Sequence, residues 1–144
     1  MKVKQPNLIP LVTILIGGFI YILFRTTTLK MFRWFNAIGL SNEITSIRNQ
    51  ALKYANEIPS WVIFSLPDGL WVFSFITLML SIWKNSINRQ SLCWICSLPL
   101  IAILSEYAQL LKIVPGTFDS IDVTIYLLGT MLPLLIFKIN INLK

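Results

Sequence analysis

Long apolar runs alternate with shorter polar segments along this chain. Four runs reach the length of about 17 to 25 residues that a helix needs to cross the hydrocarbon of a bilayer. They extend over Leu8 to Phe24, Pro67 to Trp83, Ser91 to Lys112 and Ser120 to Phe137. The pattern predicts an all-α, polytopic membrane protein whose four transmembrane helices form a single domain over residues 1–144.

The starts of the first two runs need separate interpretation. The first resembles the apolar core of a signal peptide, but no small-x-small cleavage site precedes Arg25, so we interpret it as an uncleaved anchor. The second opens with Pro67, which suits a first helical turn, and Asp68, which offsets the positive end of the helix dipole. We therefore expect a helix to begin there, rather than one longer helix from Ser60.

The segment between the first two runs has a different period. Over residues 41–58 apolar side chains recur at steps of three and four, while polar residues such as Arg48 occupy other faces. The apolar positions are Ile44, Ile47, Ala51, Tyr54 and Ile58. The period predicts an amphipathic helix, ended by Pro59, that lies in the membrane interface. It would act as a lid or partner-binding surface, or serve only as a connector.

Composition supports a membrane location and excludes several classes of enzyme. The 144 residues are 56% hydrophobic and only 12% charged, with a mean hydropathy of +0.72, whereas ordinary soluble domains are about 25% charged. No histidine is present, which excludes the usual zinc proteases and Ser-His-Asp hydrolases. The net charge of +6 comes from scattered cations beside apolar runs, so we expect contact with anionic headgroups and no nucleic-acid partner.

The distribution of positive charge leaves the orientation nearly undecided. With four spans, the termini and the loop at residues 84–90 share one side and carry Lys2, Lys4, Lys84, Arg89, Lys138 and Lys144. The opposite side carries Arg25, Lys30, Arg33, Arg48, Lys53 and Lys112, an equal number. All six acidic residues fall on that second side. We favour both termini in the cytoplasm, although acids weigh little in the positive-inside rule.

Half of the acidic residues gather near the start of the last helix. Glu106 would lie more than a turn inside the third helix, where a carboxylate costs about 2.5 to 3.5 kcal/mol unless it is compensated. Gln109 shares its face, and Asp119, Asp122, Tyr126 and Gly129 follow one another at helical steps, with Gly129 small enough for close helix approach. Topology brings the head of the second helix to the same side. The predicted polar cluster is Asp68, Glu106, Gln109, Asp119, Asp122 and Tyr126.

Three interpretations of this acidic mouth remain open. Carboxylates that repel one another would serve as an acid and a base. They would alternatively hold a divalent cation, although we expect no resident cofactor or metal. The aspartates near helix starts would otherwise only cap free amides, which does not explain the depth of Glu106.

The polar motifs of the second half resemble those of VanZ-like membrane proteins. The resemblance rests on E-x-x-Q at residues 106–109, G-x-F-D-x-x-D at residues 116–122, and Gly129, and it covers roughly Pro67 to Gly129. This chain reads Gly-Leu-Trp after Asp68, where the family usually has a Lys and a His. The resemblance implies a small integral protein of the bacterial inner membrane, in a family named for a member linked to teicoplanin resistance.

Two functions of different classes follow from these expectations. The favoured one is a non-catalytic cell-envelope factor whose acidic mouth binds a lipid headgroup, an envelope precursor or a partner membrane protein. The alternative is a membrane-embedded enzyme or ion-coupled carrier that acts on a phosphorylated lipid through Glu106 and the aspartates. Four short spans, no histidine and no cationic phosphate clamp favour the first.

Overall fold

Seven α-helices and one short pair of strands form the part of the chain that the computed structural model describes, residues 8–142. The helices are α1 (Ile9–Phe24), α2 (Lys30–Ala37), α3 (Ser41–Leu52), α4 (Ser60–Phe64), α5 (Leu66–Ile82), α6 (Arg89–Leu110) and α7 (Ser120–Ile136). The strands are β1 (Ser86–Ile87) and β2 (Asn140–Ile141). The predicted all-α class is confirmed. Lys2, Lys4 and Lys144, used above to assign orientation, lie outside the described residues.

The four apolar runs form α1, α5, α6 and α7, each within two residues of its predicted bounds. Among residues 8–142, α6 is the one helix that is both long enough and apolar enough to cross a membrane. It has 22 residues, and only 22% of its most apolar stretch is buried inside the protein. The other three are shorter apolar helices of 16 or 17 residues.

Helix α5 is the central helix of the bundle, and α1, α6 and α7 pack around it. Its side chains Val72, Ile76 and Leu80 are buried in a core that also includes Tyr126 and Phe137. Toward α1, the Ser74 hydroxyl donates a 2.6 Å hydrogen bond to the carbonyl oxygen of Pro10. Toward α7, Gly129 lies against the backbone of Gly69, which confirms the predicted close approach. The acidic head of α5 is thereby held beside α1 and α7.

A short α4 precedes α5, and Ser65 alone separates the two helices. As predicted, Pro67 and Asp68 lie in the first turn of α5. The Ser65 side chain is buried, and its carbonyl oxygen accepts a 3.1 Å hydrogen bond from the Gly69 amide. The interruption is thus confined to one residue, which keeps a helix-like backbone with φ −96° and ψ −40°.

The amphipathic segment differs from the prediction in two respects. Helix α3 ends at Leu52 rather than at Ile58, and the following residues form turns with hydrogen bonds such as Tyr54 N–H to the Ala51 carbonyl oxygen, 3.1 Å. Pro59 disfavours helical geometry before it, and the stretch Tyr-Ala-Asn-Glu contains an asparagine that favours turns. The residue that α3 buries is Arg48, which the period had placed on a polar face, whereas Ile47 is 49% exposed.

The opposite end of the bundle is closed by the two strands. Strand β1, in the loop between α5 and α6, pairs in parallel with β2, which follows α7. The next helix starts with a capping box, because Asn88 and Ser91 exchange side-chain to backbone hydrogen bonds of 2.8 Å. This pairing places the α5–α6 loop and residues 140–142 at the same end of the bundle.

Candidate functional site

Glu106 is the least exposed acid of the described chain, with only 5% of its surface accessible to solvent. It lies in the last two turns of α6. Its Oε1 accepts a 3.3 Å hydrogen bond from the side-chain amide of Gln109, as the spacing of three residues predicts. Its Oε2 accepts a 3.4 Å hydrogen bond from the backbone N–H of Asp119, at the start of α7. Both bonds are long for a carboxylate acceptor, so they compensate its burial only in part.

Asp119 acts as the N-cap of α7. Its Oδ1 accepts a 2.8 Å hydrogen bond from the N–H of Ile121, and its side chain is exposed. Of the interpretations considered for Asp119, the structure thus shows capping of the first turn of α7. Its backbone, rather than its carboxylate, contacts Glu106 directly.

Asp68 forms an ion pair with Arg25, which follows the last residue of α1. The Nη2 to Oδ2 distance is 3.4 Å, and both side chains are only partly exposed. The same Nη2 donates a 3.1 Å hydrogen bond to the carbonyl oxygen of Phe64. The guanidinium carbon lies 5.1 Å from the ring centroid of Tyr21 and 5.6 Å from that of Phe64. These contacts fix Arg25 at the mouth of the bundle.

Arg25 is the member of the site that the sequence analysis missed. It was counted only as a flanking charge, because 43 residues separate it from Asp68 along the chain. A usable signal existed: the predicted topology puts the end of the first helix and the start of the second on the same side. A cation at the end of the first helix and an acid at the start of the second are therefore close enough to pair.

Asp122 and Tyr126 lie one turn apart on the face of α7 that meets α5 and α6. Tyr126 is buried and lies near the carboxyl groups of Asp68, Asp122 and Glu106. The Oδ1 atom of Asp122 is buried and has no hydrogen-bond partner within residues 8–142. A cavity of about 160 Å³ extends from Asp68 and Tyr126 between α5 and α6, where Leu98 and Ala102 line it.

The structure thus brings together five of the six predicted side chains and adds Arg25. We call this set, Arg25, Asp68, Glu106, Gln109, Asp122 and Tyr126, the polar cluster. Its three carboxylic acids outnumber its one guanidinium, which pairs with Asp68. Such an excess of acidic groups attracts positively charged groups. Within the described residues, no three His, Cys, Asp or Glu side chains are arranged to hold a metal ion.

Comparisons with models of protein families, with curated proteins and with solved structures gave no match for this chain.

Proposed function

We propose that this chain is a small multi-pass membrane protein in which α1, α5, α6 and α7 cross the bilayer. Support comes from the outer faces of these helices, which present large apolar side chains to the surroundings. Among them are Leu15, Phe19, Ile101, Leu104 and Leu135, each more than half exposed. A water-soluble monomer rarely exposes a continuous apolar surface of this extent, whereas lipid tails cover it favourably.

The lengths of the helices are compatible with this arrangement. Sixteen or seventeen residues extend about 25 Å, which is slightly less than the hydrocarbon thickness of about 30 Å. Local thinning of the bilayer and flanking cations accommodate such a difference. The pairing of β1 with β2 supports a topology in which the α5–α6 loop and the C-terminal segment share one side, which we assign to the cytoplasm.

We further propose that the polar cluster binds a headgroup without catalysing a reaction. The observation that carries this proposal is the burial of Glu106 in α6, a helix whose exposed side chains are mainly apolar. An ionisable side chain at membrane depth is costly and commonly has a functional role. A headgroup amine would bind the carboxylates of Glu106 and Asp122, while its phosphate would bind Arg25.

The ligand class is accordingly an amine-bearing phospholipid, an envelope precursor of similar charge, or a basic segment of a partner membrane protein. The VanZ-like pattern of residues 67–129 adds the expectation of a role in the bacterial cell envelope. Ion-coupled carriers typically have a repeated pair of broken helices. Residues 8–142 contain no such repeat.

The test is retention of phosphatidylethanolamine by the purified full-length protein, measured by native mass spectrometry in a neutral detergent. Glu106→Gln keeps the shape and can still accept the hydrogen bond from Gln109, but it removes the charge and the oxygen that accepts from the Asp119 N–H. We expect a loss of about fivefold or more in retained lipid. Glu57→Gln is the matched control, because Glu57 is exposed and lies in a turn outside the polar cluster.

Equal lipid retention by the wild-type protein and Glu106→Gln would contradict headgroup binding at this cluster. Release of phosphate or amine from a phosphorylated lipid by the wild-type protein, abolished in Glu106→Gln, would instead establish the enzymatic alternative. Thermal unfolding of each variant, followed by circular dichroism, separates these outcomes from a loss of folding.

A further inference from the structure

A second cavity, of about 310 Å³, lies between α2 and α3 and is distinct from the polar cluster. Its polar lining comprises Thr27, Arg33, Asn36, Ser41, Thr45 and Arg48. None of its lining residues in the described part of the chain is acidic. Residues that carry two guanidinium groups, hydroxyls and an amide thus line one space, a composition that suits an anion.

The two arginines of this cavity are held differently. Arg48 is buried, donates hydrogen bonds to the carbonyl oxygens of Ile22 and Arg25, the latter at 2.7 Å, and lies 4.7 Å from the ring centroid of Phe32. Burial lowers the pKa of the Arg48 guanidinium, which nevertheless remains charged at neutral pH. Arg33 is exposed and forms no hydrogen bond or ion pair within residues 8–142.

The start of α3 contributes a second favourable feature. Its first residue, Ser41, lines the cavity, and no side chain caps the amides of this first turn. Free amides at a helix N-terminus attract anions, and the helix dipole adds to the attraction. Glu43, in the same first turn, offsets part of this dipole, so the positive charge at the cavity comes mainly from Arg33 and Arg48.

The surroundings of the cavity suit the headgroup region of a membrane. Trp34 of α2 is 68% exposed, and Ile38, which directly follows α2, is 66% exposed. Phe32 and Phe35 form part of the cavity wall. Cationic residues interleaved with exposed aromatic and aliphatic ones are typical of helices that lie in the interfacial plane. Anionic lipid phosphates are concentrated at that depth.

We propose that the α2–α3 cavity binds the phosphate group of an anionic ligand, with Arg33 as the main recognition residue and Arg48 as a fixed second cation. The guanidinium of Arg33 donates paired hydrogen bonds to the phosphate oxygens, and Asn36 and Ser41 complete the contacts. Phosphate reaches this site either on a lipid headgroup or as a free ion. The proposal does not depend on the function assigned to the polar cluster.

The experiment uses the full-length protein in a neutral detergent and measures binding of phosphatidylglycerol, phosphatidylcholine and inorganic phosphate in separate arms. For the phosphate-bearing anion that binds, we expect Arg33→Gln to weaken affinity about tenfold, the loss of one paired charge-assisted contact. Arg33→Lys keeps the charge but not the paired donors, so its loss should be intermediate. Lys30→Gln removes one charge from the same helix outside the cavity, and its affinity should stay within about twofold of the wild type.

The arms distinguish the sources of phosphate. Binding of phosphatidylglycerol that depends on Arg33, with no competition by inorganic phosphate, assigns the site to a lipid headgroup. Binding of inorganic phosphate with the same dependence assigns it to the free ion. Equal losses for Arg33→Gln and Lys30→Gln, no loss for Arg33→Gln in either arm, or equal affinity for phosphatidylcholine would overturn the proposal. Circular dichroism confirms that the variants retain their helices.

Discussion

The carbonyl oxygen of Gly69 in α5 lies only 2.6 Å from the position that a Cβ atom on Gly129 of α7 would occupy. A Cβ on Gly69 would in turn overlap the side chain of Ile125. The backbones of the two helices therefore touch, as they do at small-residue contacts between membrane helices. Because Asp68 precedes Gly69, this contact also holds the head of α5 beside Asp122 and Tyr126.

Gly129→Ala should destabilise the bundle. The added methyl group meets backbone rather than a flexible side chain, so we expect a loss of about 1 to 3 kcal/mol in the free energy of unfolding. Gly18→Ala is the matched control, since a Cβ at Gly18 has no neighbour within 4 Å. It should be neutral, or more stable by up to about 1 kcal/mol, because alanine favours a helix over glycine. Equal thermal unfolding temperatures of the two variants in detergent would rule out the tight α5–α7 contact.

The ion pair between Arg25 and Asp68 should contribute measurable coupling. It is only partly exposed, so we expect a double-mutant cycle of Arg25→Gln and Asp68→Asn to give about 1 kcal/mol in the free energy of unfolding. The losses of stability in the two single variants should add up to more than the loss in the double variant, because each single variant leaves one charge without its partner. Strictly additive effects would mean that the pair is not formed.

Arg48 should hold α3 against the end of α1. Replacement by methionine removes the hydrogen bonds to two backbone carbonyl oxygens, and charged hydrogen bonds of this kind contribute about 1.5 to 3 kcal/mol. We expect hydrogen exchange across residues 41–52 to accelerate about 10- to 100-fold, while α6 keeps its protection. The control Lys53→Gln changes an exposed charge just beyond α3 and should leave exchange as in the wild type. Unchanged exchange in Arg48→Met would show that α3 docks by other contacts.

The long apolar helices could be predicted from the sequence because each run is bounded by polar residues at both ends. Local chemistry also predicted the face shared by Glu106 and Gln109 and the close approach at Gly129. The predicted end of α3, at Ile58, was wrong. A proline at position 59 shows only that a helix must end before it, and α3 already gives way to turns after Leu52.

The two structural arginines could not be assigned from periodicity. A hydrophobic period places Arg48 on a polar face, but its partners are carbonyl oxygens at the end of a helix more than twenty residues away. Arg25 likewise pairs with an acid 43 residues along the chain. Contacts of this kind depend on how helices cross, which a single sequence does not encode in its local pattern. For Asp119, sequence reasoning left capping and chemistry open, and the 2.8 Å bond to the Ile121 amide shows the cap.

Sidedness of the two inter-helix loops tests the proposed membrane arrangement most directly. In a chain with both native cysteines changed to serine, single cysteines replace Gln90, at the start of α6, or Thr117, in the α6–α7 loop; both positions are exposed. A membrane-impermeant maleimide should label Gln90→Cys from the cytoplasmic side only and Thr117→Cys from the opposite side only. Labelling of both positions from one side, or release of the protein from membranes by alkaline carbonate, would contradict the account.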